Sequence, residues 1–128
     1  MRRILAALLL LLAAPATAAA PAGLTIAGEG FAQGDILDAR AMPDMDGTAG
    51  IMLTFTPPAA RRLLALTRTR VGKPLPMALD GAVLVEPVVD APIEGGVIEV
   101  SVHMPLADAE ALAKRISGKD PLPDSLDQ

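Results

Sequence analysis

The chain has 128 residues, with 11 Lys and Arg against 15 Asp and Glu, no cysteine, no tryptophan, no tyrosine and 2 phenylalanines. Disulfides, thiol catalysis and thiolate metal ligation are therefore excluded, and Phe31 and Phe55 alone cannot build stacking platforms for bases or sugars. The acidic balance disfavours nucleic acid and anionic membrane as partners.

Residues 1–22 read MRRILAALLLLLAAPATAAAPA. Arg2 and Arg3 form a positive leader, an apolar run follows, and Ala16-Thr17-Ala18 is a small-x-small cleavage signal. This layout predicts a signal peptide over residues 1–20, cleaved near Ala18 to Ala20. An uncleaved anchor is the alternative, which Pro15 and the small residues after it disfavour; a span needs about 20 apolar residues. Cleavage leaves roughly 108–110 residues, enough for one domain with a modest core. Without Arg2 and Arg3 the balance is 9 against 15, a net charge of −6. An exported chain free of cysteine suits a bacterial periplasm.

Residues 21–50 form a lead-in segment rich in Gly, Ala, Asp and Met. A short strand is expected over 24–27, a loop over 28–34, and either a strand or a single helical turn over 35–41. Residues 42–50 are turn material, with Asp46-Gly47 as the bend. In 51–56 alternation places Ile51, Leu53 and Phe55 on one face, the mark of a strand with a buried side. Thr56 then caps a helix with Pro57 at its first position, where a missing N–H is tolerated. That helix, ending near Thr69, carries Ala59, Leu63 and Leu66 on one stripe and turns Arg61, Arg62 and Arg68 toward solvent.

Beyond Gly72, the apolar runs 75–79 and 82–89 flank Asp80-Gly81, a strong hairpin signal. Pro87 places the second run at a sheet edge or a bulge, since it lacks a donor. After a turn at Glu94-Gly95-Gly96, residues 97–103 alternate again, and Pro105 opens a second helix. Ala109, Leu112, Ala113 and Ile116 give this helix one apolar face; Gly118 ends it and Pro121 forbids its extension. Residues 119–128 read as a flexible C-terminal tail. The order β-α-β-β-β-α, with two one-sided helices, predicts an α+β two-layer sandwich: a mostly antiparallel sheet with both helices on one face. Its expected core is Leu53, Phe55, Leu63, Leu66, Leu79, Val100, Leu112 and Ile116.

No catalytic, cofactor-binding or metal-binding set is expected. His103 is the one histidine, and Ser101 beside it on the same face is no triad. Asp44 and Asp46 share a glycine-bearing loop but lack the ligand series of a calcium site. Asp80 belongs to its turn, and Asp108 and Glu110 suit a helix start. Met42, Met45, Met52, Met77 and Met104 are dispersed and read as core or near-core filling rather than as a soft binding surface.

The pieces IMLTFT at 51–56, LALT at 64–67, GKPLPMALDGAVLVEPVVDAPIEGG at 72–96, VIEVSV at 97–102, ADAEALAKRI at 107–116 and DPLPDSL at 120–126 carry a resemblance. In that order and spacing they resemble the head subdomain of the periplasmic domain of SecD, in the SecD/SecF accessory family of the protein-export translocase, with 51–118 as the head domain. DILDARAMPDMDG at 35–47 is similar to the segment leading into that head. The resemblance implies a head that contacts preprotein in the periplasm. The match departs from the family's pattern in lacking further membrane spans, intramembrane ionisable residues and a complete base, and in reading VSV where a glycine often stands.

The expectation is thus a non-catalytic periplasmic binding or accessory module that contacts unfolded polypeptide or an envelope protein, the export translocase among them, and needs no cofactor. A structural or self-associating envelope domain, forming a weak homodimer through a strand edge, is the alternative. Scarce aromatic anchors make sheet-edge augmentation the simplest binding mode.

Overall fold

The computed structural model describes residues 22–123, so the expected signal peptide, 1–20, lies wholly outside the described residues, as do residues 124–128 of the expected tail. Seven strands and two helices follow one another as β1 (Leu24–Ile26), β2 (Glu29–Phe31), β3 (Ile36–Pro43), β4 (Ala49–Phe55), α1 (Pro57–Arg68), β5 (Met77–Leu79), β6 (Ala82–Val85), β7 (Val97–Met104) and α2 (Leu106–Ser117). A 3₁₀ turn, Gln33–Asp35, joins β2 to β3. The strands form two antiparallel sheets, ordered β2-β1-β5-β6 and β3-β4-β7. The result is an α+β sandwich.

The lead-in is more structured than its composition suggests. Residues 28–34, expected as a loop, contain β2, and 35–41 combine the end of the 3₁₀ turn with the start of β3. Three-residue strands have little propensity of their own; β1 persists because it is sandwiched, pairing with β2 on one side and β5 on the other.

Local signals set the helix ends. The Thr56 side chain accepts the Ala59 N–H at 3.4 Å, with Pro57 and Pro58 in the first turn of α1. Gly118 ends α2 in the left-handed conformation at φ 74°. The Gln33 amide reaches across and donates to the Arg115 carbonyl at 3.2 Å, covering that helix end from the 3₁₀ turn. Asp80 (φ 51°) and Gly81 (φ 85°) form the two-residue turn between β5 and β6. Asp80 does more than turn: it accepts from the Gly23 N–H at 2.7 Å and from Arg115 at 3.1 Å, tying β1 and α2 to the hairpin.

One core fills the molecule. Leu53, Phe55, Leu63, Leu79, Leu112 and Ile116 are buried in it, and Leu66 and Val100 pack against it half-buried. Met77 is buried and Met104 packs on the core, Met42 and Met52 are half-buried, and Met45 stands fully exposed at the β3–β4 turn. Arg61 and Arg68 are exposed as expected, but Arg62 is not a solvated face residue. It donates to Gly30 O at 2.6 Å and to Glu29 at 3.1 Å, and pairs with Asp35 at 3.4 Å. A long side chain near the N-terminal turn of α1 can reach back over the β2–β3 connection, which helical spacing alone does not reveal.

Candidate functional site: two sheet edges and their grooves

The three-stranded sheet ends on β3 at one side and β7 at the other. On β7, the Phe55 N–H donates to Gly96 O at 2.8 Å, and the register continues as Thr54↔Val97, Leu53↔Ile98, Met52↔Glu99 and Ile51↔Val100. Antiparallel pairs alternate between bonded and non-bonded, so Ile98 and Val100 turn their backbone groups to β4. Val97, Glu99 and Ser101 aim theirs outward. Close approach confirms the phase: a Cβ on Gly50 would lie 2.7 Å from Val100 O.

Beside this edge runs a groove of about 230 Å³, lined by β7 residues Val97 to Val100 and by Pro87, Val88, Val89, Asp90, Ala91 and Ile93. Val88 and Val97 are exposed apolar side chains on its rim. The wall is fixed by an irregular ladder in which Leu75 N–H donates to Pro87 O at 2.7 Å and Val89 N–H to Lys73 O at 3.0 Å. Pro87 thus lies past the end of β6, in the segment facing β7, consistent with the edge or bulge expected for it.

The second groove, of about 710 Å³, lies between β3 and α2 and is lined by Arg40, Ala41, Met42, Ala107, Glu110, Ala111, Ala113, Lys114, Asp120 and Pro121. The Asp44 N–H donates to Thr48 O at 2.8 Å, which by the same alternation points the backbone of Ala39 and Ala41 away from β4. Asp38 and Arg40, two apart on the strand, share the other face. Arg40 Nε donates to Asp38 Oδ2 at 2.6 Å. Asp38 Oδ1 accepts the Leu122 N–H at 2.8 Å, and Arg40 Nη2 donates to the Leu122 carbonyl at 2.9 Å. Burial pushes the Asp38 carboxyl up. The bonds from Arg40 and Leu122, with the charges of Arg40 and Lys119, outweigh it and hold the group below the usual carboxylate value.

The residues considered for chemistry do not converge. His103 is exposed at φ 50°, where the β4–β7 register is irregular. Ser101 donates to Asp44 at 3.5 Å rather than to His103. Asp46 accepts from the Thr48 hydroxyl and N–H within its own turn, and these bonds lower its carboxyl. Among the described residues no group of three or more His, Cys, Asp or Glu is placed to hold a metal, and no helix is long and apolar enough to cross a membrane. The Asp38–Arg40 pair was missed in the sequence, although Asp-x-Arg on a strand places both side chains on one face.

The model of the SecDF P1 head subdomain matches residues 21–119. The chain is 42% identical over 91 residues to the protein translocase subunit SecDF of Thermus thermophilus, covering 70% of this chain and 12% of that protein. It is 34% identical over 79 residues to the protein translocase subunit SecD of Acidaminococcus fermentans, covering 62% of this chain and 19% of that one. A solved structure of SecDF, described as a membrane component that enhances protein export, superposes with a TM-score of 0.62 at 34% identity over 71% of this chain and 41% of that one. The chain spans well under half the length of each of these relatives. The chain belongs to the SecDF P1 head subdomain family.

Proposed function

We propose that this member of the SecDF P1 head subdomain family is a non-catalytic, periplasmic accessory module of protein export that holds extended polypeptide along the free edge of β7. One observation carries the reading: the backbone groups of Val97, Glu99 and Ser101 point away from β4, and Val97 and Glu99 line a groove walled by Pro87–Ala91 and Ile93. A strand added there gains main-chain hydrogen bonds for affinity and a shallow apolar wall for side chains, which is β-augmentation. Phe31 and Phe55 are both buried in the core, so no aromatic anchor is available on the surface. Contact is therefore led by backbone, weak, and tolerant of client sequence. The chain's acidity favours basic clients.

The test is a titration of a soluble, lysine-flanked peptide of alternating Val and Thr against the protein, followed by backbone amide shifts. Shifts should centre on Val97, Glu99, Ser101 and residues 87–93, with a Kd of roughly tens of micromolar, about −6 kcal/mol. Absence of shifts at millimolar peptide, with a concentration-dependent dimer covering the same edge, would replace this reading by self-association.

A further inference from the structure

The Asp38–Arg40 pair has a geometry that ordinary surface ion pairs lack. Its carboxylate accepts from the N–H, and its guanidinium donates to the C=O, of one and the same residue, Leu122. The N–H and C=O of a single extended residue point to the same side, so the two side chains together imitate a neighbouring strand. Asp38 is 6% exposed, whereas Leu122 is 52% exposed. The site therefore grips main chain and leaves the side chain it holds largely unread.

We propose that Asp38 and Arg40 form a second main-chain-reading site for an extended polypeptide segment, filled in this structure by the chain's own Leu122. It deepens, and rests on, the polypeptide-binding reading above. The internal occupant shows what the pair accepts. Leading up to it, the Ser117 hydroxyl bonds both the Lys119 carbonyl and N–H, while the Lys114–Asp120 ion pair has side chains 63% and 81% exposed, a class of contact that contributes little. An incoming segment has more to gain than Leu122 does. The groove between β3 and α2 runs past Arg40 and is lined by Ala41, Met42, Ala107, Ala111 and Ala113, whereas Ala39 beside it is 1% exposed. A polypeptide that lies in that groove and then enters the Asp38–Arg40 clamp makes contacts the short internal segment does not. The lining charges balance, Arg40 and Lys114 against Glu110 and Asp120, so the groove selects on main chain rather than on charge.

The experiment compares the full chain with Leu122→Pro, which removes the one N–H that Asp38 reads while changing no groove residue. The probe is the same lysine-flanked Val-Thr peptide. Freeing the site should raise the fraction of binding-competent molecules and tighten binding about tenfold, with new amide shifts at Ala39, Arg40, Ala41 and Ala111. Asp38→Asn in the L122P background should abolish those shifts while leaving those at Val97 and Glu99. A fold check by circular dichroism accompanies each variant, and a peptide copying residues 118–124, added in trans to L122P, gives a second readout by restoring the original shifts. If L122P binds within twofold of the parent and peptide shifts stay on β7, the clamp is a structural tether and this proposal is overturned while the β7 reading stands. If neither protein binds peptide and the trans peptide also leaves Asp38 and Arg40 unshifted, both fall.

Discussion

The guanidinium carbon of Arg62 sits 4.5 Å from the centre of the Phe31 ring, and Phe31 meets Phe55 edge-on at 5.3 Å between centroids. Through this stack α1 reaches over β2 to the end of β4, while the same guanidinium bonds the Gly30 carbonyl and the Glu29 and Asp35 carboxylates. Both aromatic residues of the chain are thereby spent on stability, which leaves binding to backbone edges.

Arg62→Ala should therefore lower stability by about 1–2 kcal/mol, a figure held down because the side chain is 39% exposed and its ion pairs are screened. Arg62→Lys should recover less than half, since an ammonium cannot span three acceptors and stack at once. Arg61→Ala, on the exposed neighbour, should stay within about 0.5 kcal/mol. Urea midpoints of the three variants decide it; an equal effect at Arg61 and Arg62 would refute the stack's role.

Leu112 lies 7% exposed on the stripe of α2 with Ala109, Ala113 and Ile116. Leu112→Ala should cost about 2–5 kcal/mol through lost burial and the cavity left behind. In a domain of about 5–15 kcal/mol total stability that is a large fraction. A denaturation midpoint unchanged by the substitution would show that α2 does not seal the core.

Much of this was legible because it is local. The Thr56 cap, the proline start of α1, the Gly118 stop and the Asp80-Gly81 turn each depend on chemistry within a few residues, and each forms as read. The alternation of 51–55 and 97–103 gave β4 and β7, two of the three long strands of the second sheet. Non-local pairings were not legible. β1 and β2 exist through β5, the strands split into two sheets rather than one, and Asp38 finds its partner 84 residues away. No periodicity encodes such a contact. Only the Asp-x-Arg spacing hinted that two charges shared a strand face.

Gly81→Val should destabilise by roughly 1–2 kcal/mol, because Gly81 sits at φ 85°, where a β-branched residue is strained. Asp80→Ala should add a separate loss, since Asp80 also holds the Gly23 N–H and Arg115. Thermal melts of each variant separate the two effects; wild-type stability in Gly81→Val would refute the turn's strain.

Acid should act through Asp38. Its carboxyl titrates below its unfolded value, so the stability it contributes is fully present above about pH 4, the unfolded carboxylate range, and is lost as pH falls through the lower folded value. Asp38→Asn should lower stability at neutral pH and flatten the decline below about pH 4. Urea midpoints measured across that range test it, and parallel curves for the two proteins would assign the acid limb to other carboxylates.

The edge of β7 yields the sharpest separation of fold from function. The Glu99 N–H points outward, so Glu99→Pro removes a donor that β4 never used. Proline is tolerated at such edge positions, and the fold should survive with a loss of about 1 kcal/mol. Peptide binding should weaken by about tenfold or more, since the blocked residue is central among the three whose backbone points away from β4. Glu99→Gln controls for charge: it should keep the site and weaken only the preference for basic peptides. Proline at Ile98 should instead break a bond to β4 and unfold the sheet. Peptide affinity measured beside a urea melt for all three variants gives the answer. If Glu99→Pro folds and binds as tightly as the parent, the β7 edge is not where polypeptide is held.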